Sequence, residues 1–122
     1  MEEDLVIHEF DAYAAGNRYA VRYFDLAENN VKGKNPFGVL QAFVTGYRPN
    51  SKMEDEKELS LGKDKVPARE YRVSTSAKDN ARERVVLSGT RLYVIILSTA
   101  GDKDDLYSPD SVTFFDSFEF EK

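Results

Sequence analysis

The residues able to do chemistry are few. His8 is the single histidine, and imidazole is the side chain that changes charge near neutrality without help. A Ser-His-Asp site would have to use it, yet the chain has no Gly-x-Ser-x-Gly elbow to present a nucleophile. His8 alternates with Val6 and Phe10 along a strand pattern, so it reads as a structural histidine. There are no cysteines, which excludes disulfides, thiolate zinc sites and cysteine nucleophiles. Asp102, Asp104, Asp105 and Asp110 crowd one stretch, and carboxylates in a loop are the ligands calcium prefers. No glycine stands at the sixth place of such a loop and no glutamate at the twelfth, so the stretch reads as a solvated acidic loop. Glu54, Asp55, Glu56 and Glu58 pose the same choice, and the nearby Lys52 and Lys57 favour a plain ion-paired surface. No catalytic residue, metal site or cofactor is expected.

Three further sets invite a binding reading. Lys32-Gly33-Lys34 resembles a phosphate loop in composition but lacks the spacing of one, and reads as an exposed loop. Arg69, Arg72, Arg82, Arg84 and Arg91 fall on neighbouring strands. They could line one face as an anion-binding patch, or ladder with Glu70 and Glu83 on a solvated face; the second reading is preferred. Tyr13, Tyr19, Tyr23, Tyr47, Tyr71 and Tyr93 divide between core and surface, and exposed tyrosine is a common contact residue because it offers area at small entropic cost.

The background to these residues is a chain of 122 amino acids, 41% hydrophobic, 12% aromatic and 32% charged, with a net charge of -5. That length suits a single domain spanning 1–122. Fifteen phenylalanines and tyrosines together argue against disorder. Lysine and arginine are interleaved with acids, so there is no basic stripe of the kind that nucleic-acid binding uses. No apolar run reaches the ~18 residues of a spanning helix, and no signal-peptide pattern opens the chain at Met1-Glu2-Glu3-Asp4.

Alternation of apolar and polar residues predicts strands over 5–13 and 19–26, joined as a hairpin through Ala15-Gly16-Asn17. Asn35-Pro36 carries the cap-plus-proline start of a helix over 36–47, with Phe37, Leu40, Val44 and Tyr47 on its inner face. Strands follow over 56–61 and 66–76, then a loop over 77–81. Next come strands over 82–87 and 91–99 about a tight Ser88-Gly89 turn. The run Leu92-Tyr93-Val94-Ile95-Ile96-Leu97 is apolar on both faces, which predicts a central strand covered on both sides with Ile95 deeply buried. Ser108-Pro109 starts a second short helix over 109–116, and Phe118 and Phe120 mark a final short strand. The order ββαββββα(β) is α+β, an antiparallel sheet flanked by two short helices.

That order and its punctuation resemble the PsbP-like α/β/α sandwich proteins. The resemblance rests on Tyr19 to Leu26 before the first helix, on Val66 to Val73, on Gly89 to Ile95, and on Ser108-Pro109-Asp110 followed by Phe114 to Phe118. It covers about residues 5–120 and brings no catalytic, metal or cofactor motif. What it implies is a non-enzymatic binding or accessory module, with a protein or small molecule as partner; the interleaved charges and short apolar runs imply no nucleic acid and no membrane span. The alternatives are a metal-assisted hydrolase or ligand-processing domain built on the acidic loops, and a regulatory or scaffold domain cut from a longer exported protein.

Overall fold

The structure is a computed structural model, and it describes residues 8–14, 17–48, 52–74, 80–99 and 114–115. The element order is β1 (His8–Ala14), β2 (Asn17–Asp25), a 3-10 turn (Glu28–Asn30), α1 (Pro36–Tyr47), β3 (Met53–Leu61), β4 (Val66–Ser74), β5 (Asn80–Ser88) and β6 (Arg91–Thr99). The strands form one sheet in the order β1-β2-β6-β5-β4-β3, antiparallel throughout. The fold is therefore α+β, as the patterning requires. β6 lies inside the sheet between β2 and β5, and Ile95 is fully buried. A strand whose two faces are both apolar is stable only where both are covered.

Period-2 alternation assigns each strand residue to a face. On one face Ala20, Phe24, Tyr71, Val73, Val85, Leu87, Leu92, Val94 and Ile96 form a core under α1, into which Leu40 and Val44 insert. On the other, Val66, Ala68, Val86, Ile95 and Leu97 pack with Phe115. Helix α1 starts where expected: the Asn35 side chain accepts from the Phe37 amide at 2.9 Å and Pro36 takes the first helical position, where its missing N–H costs nothing. Its backbone lies nearest β4 and β5, while the Phe43 and Tyr47 rings reach Phe24 of β2. It therefore lies to one side of the sheet, and among the described residues no second helix covers the part of this face nearer β2.

Several boundaries differ from expectation. β3 begins at Met53 rather than residue 56, because a bulge between Glu54 and Lys57 sets two residues against the single Tyr71, with Asp55 at φ 56°; the extra residue broke the alternation that would have shown the earlier start. β5 begins at Asn80 rather than Arg82, since Asn80 and Ala81 pair with Ser74 and Val73. The β5–β6 turn is Gly89-Thr90, closed by the Ser88–Arg91 pair, with Gly89 at φ +64°. Glycine at the first central position is what a two-residue II′ hairpin demands. Of the second helix expected over 109–116, only Phe114 and Phe115 are described, and both are helical. The acidic stretch with Asp102, Asp104, Asp105 and Asp110, and the strand expected about Phe118 and Phe120, lie outside the described residues.

Candidate functional site: an apolar groove beside α1

Because α1 leans toward β4 and β5, an open groove of about 770 Å³ runs along its other flank. Gly38, Ala42 and Gly46 recur every fourth residue on the groove side of α1, one above the other as the helical repeat dictates, and set about 12 Å of helix backbone along it. Phe24 of β2 and Phe43 of α1 form the aromatic wall, ring centroids 5.4 Å apart, and Tyr47 stacks on Phe43 at 5.2 Å and 19°. Leu26 and Val39 complete the apolar lining, and Leu26 is held by its amide, which donates to the Thr90 carbonyl at 2.8 Å.

The two helical glycines are informative. Neither has positive φ, so no special backbone shape requires them. A Cβ at Gly46 would meet nothing within 4 Å, and one at Gly38 only the Asn35 Cβ at 3.9 Å. Glycine inside a helix costs up to about 1 kcal/mol relative to alanine. Here that cost brings no close packing within the chain; what it leaves is space in the groove.

At the C-terminal end of α1 the groove meets a polar cluster. Tyr47 is in hydrogen-bond contact with Arg22 through its hydroxyl. The next residue, Arg48, reaches under the helix to Glu83, its Nε donating to Oε1 at 3.1 Å and its Nη2 pairing with Oε2. Glu83 is fully buried and also accepts from the Tyr71 hydroxyl at 2.7 Å. A buried carboxylate is tolerated only when paired and hydrogen-bonded, and these two partners supply that. Burial, reinforced by the Glu83 charge, pushes the Tyr71 hydroxyl pKa far up, so Tyr71 stays a neutral donor. Burial works against the Arg48 cation, and its bond to Glu83 outweighs this and holds the pKa above the ordinary arginine value. Burial also raises the Tyr47 pKa, with Glu83 adding to it and Arg22 and Arg48 opposing.

The arginines expected to share one face divide between two. Arg72, Arg82 and Arg84 lie on the face with Glu70, whereas Arg69 lies on the α1 face, where it pairs with Glu56 at 2.7 Å and Glu58 at 3.7 Å. Glu83 pairs with none of the five. The solvated ladder expected of them is corrected as well: Arg82, Arg84 and Glu70 are buried. Glu70 holds Arg82 at 3.2 Å and Arg84 at 2.9 Å, with Lys57 at 3.6 Å. The Phe115 ring lies against both guanidinium planes, 4.3 Å from Arg82 and 5.3 Å from Arg84, which takes them out of solvent while satisfying their faces. Burial alone would raise the Glu70 carboxyl; the two guanidinium groups outweigh it and hold the pKa below its ordinary value.

The remaining candidates fall on the surface or outside the site. Glu54 and Asp55 pair with Arg72 at 2.7 and 2.8 Å, rather than with Lys52 and Lys57. Gly33, at φ +75°, turns the chain within Lys32-Gly33-Lys34, and only Lys34 of the three reaches the groove rim. The backbone of His8 pairs with Tyr23. Of the tyrosines, Tyr71 is core, Tyr47 bounds the groove, and Tyr19, Tyr23 and Tyr93 are half-buried on the opposite face; Tyr13 pairs with Arg18 in the β1–β2 register. The sequence marks Tyr47 as inner-face and Gly46, with Pro49, as the end of the helix, and it does not single out Ala42 or Arg48. Gly38 reads only as a weak point of a short helix, and the Arg48–Glu83 pair spans 35 positions with no local signal. Among the described residues, no three His, Cys, Asp or Glu side chains are grouped to hold a metal ion, and no helix is long and apolar enough to cross a membrane.

No family model and no curated protein matches the chain. Among solved structures, the chain is similar to the crystal structure of protein PA94 from Pseudomonas aeruginosa, described as a protein of unknown function and a suspected regulator. The likeness has a TM-score of 0.60 at 14% identity, covering 99% of this chain and 87% of that one. At that identity it shows a shared fold.

Proposed function

We propose that the chain is a non-enzymatic binding module of the PsbP-like kind whose working surface is the groove beside α1, taking one apolar small molecule. The observation that carries this is the pair Gly38 and Gly46: a short helix carries two glycines that its own packing does not need, and both face the groove. The volume lies within the ~300–1,000 Å³ of small-molecule sites, which are likewise mostly apolar with a few polar groups. Among the described residues no Ser, Cys, His or carboxylate lines it, which favours binding over turnover. The element order ββαββββ supports the PsbP-like kinship. A regulatory role, the description given to the Pseudomonas protein, is compatible with a ligand-sensing groove, but no residue here favours it separately.

The test uses an uncharged apolar fluorophore, N-phenyl-1-naphthylamine, whose emission rises in a dry site. Saturable one-to-one enhancement is expected with the native chain. Gly46→Phe, whose side chain enters open space, should remove it while leaving the fold intact and the melting temperature no lower. Enhancement that does not saturate, or that survives Gly46→Phe unchanged, contradicts the reading.

A further inference from the structure

The groove is chemically asymmetric along its length. Among the described residues the lining side chains with nitrogen, Asn30, Lys34 and Asn35, gather at the end where α1 begins, and the described lining beyond them is apolar up to Tyr47. Although the chain carries 22 acids against 17 bases, no acid among the described residues lines the groove. Among the described residues the Lys34 ammonium has no acidic partner within ion-pair distance, and it is the one cationic side chain in the described lining. The same end is the N-terminus of a 12-residue helix, where the peptide dipoles add positive potential. A cation beside a low-dielectric wall, backed by that dipole, favours a negative group at this position, whereas at the other end Arg22 is engaged by the Tyr47 hydroxyl and Arg48 by Glu83.

Resting on the groove reading above, we infer that the occupant is a single-chain amphiphile with an anionic head: its carboxylate sits between Lys34 and the amides of Asn30 and Asn35, and its apolar chain runs along Gly38, Ala42 and Gly46 against Phe43. The concave shape and volume favour a small molecule over a protein segment, since protein interfaces are broader and flatter.

The inference is tested by calorimetric titration with dodecanoate and with dodecan-1-ol, which share a chain and differ in head charge, both below their aggregation limits. The native chain should bind the carboxylate about two- to fivefold more tightly than the alcohol, the return expected of a partly exposed ion pair. Lys34→Gln should bring the carboxylate down to the affinity of the alcohol and leave the alcohol unchanged, and Lys34→Arg should keep the preference. Equal affinities for the two ligands in the native chain, or a preference that survives Lys34→Gln, overturn the anionic-head assignment while the groove stands. Failure of both ligands to bind overturns the assignment and the groove reading together.

Discussion

At the scale of single residues, the molecule is governed by two buried carboxylates on opposite faces of one sheet. Glu83 depends on Arg48 and Tyr71, and the consequence of losing a partner depends on where the survivor is left. Arg48→Ala leaves the carboxylate fully buried with one hydroxyl donor and should cost about 3–5 kcal/mol. Glu83→Gln leaves a guanidinium that is a quarter exposed and can turn to water, so about 1–3 kcal/mol is expected. Urea melts of both variants should give that order; the reverse order would mean that Arg48 is not what holds the buried charge. Glu70 predicts a pH effect. Its pKa is held below the ordinary carboxylate value in the fold, so its contribution is complete above the unfolded-state value and is lost as pH falls through the folded one. The stability gap between the native chain and Glu70→Gln should therefore be flat above about pH 5 and close as the pH is taken below 4.5. Neither carboxylate was legible as buried in the sequence. Glu70 and Glu83 sit in strands that alternate acids with arginines, a pattern that describes a solvated ladder equally well. What decides the matter is Phe115 on one face and Arg48 on the other, both brought in from distant parts of the chain.

At the scale of elements, α1 was the most legible because its start is written locally. Asn35-Pro36 fixes the first turn, and Leu40 and Val44 face the core as the helical period requires. Asn35→Ala should remove the cap bond to the Phe37 amide and cost about 1 kcal/mol, read as a fall in thermal midpoint. Gly46→Ala should do the opposite, raising stability by up to about 1 kcal/mol, because the added Cβ enters open space. Stabilisation by that change would show that the glycine serves the groove rather than the fold; destabilisation would mean that the space is needed within the chain. The start of β3 was less legible for a physical reason. A bulge inserts a residue and shifts alternation by one, so Met53 and Leu59 do not continue a single period. The same bulge, with the charges of Glu54 to Glu58 around it, makes β3 a poor template for strand addition at the sheet edge.

At the scale of the whole molecule, the interior place of β6 followed from residues 92–97 being apolar on both faces, and the hairpin pairings followed from short turns. The long-range closure of β2 on β6 had no such signal, since no turn joins them, yet it is that pairing which brings Phe24 to α1 and creates the aromatic wall of the groove. Ile95, fully buried at the middle of β6, reports on this arrangement: Ile95→Ala should cost about 2–5 kcal/mol, a large part of the ~5–15 kcal/mol available to a domain of this size. The central claim is that the flank of α1 is the binding surface and the Phe115 face is not. Amide chemical-shift mapping during titration with N-phenyl-1-naphthylamine addresses it most directly. The account predicts that the perturbed amides cluster at Phe24, Leu26 and along 30–47, with Tyr19, Tyr93 and Leu97 unmoved. Shifts concentrated at Tyr19, Tyr93 and Leu97, with those along α1 unchanged, would contradict it.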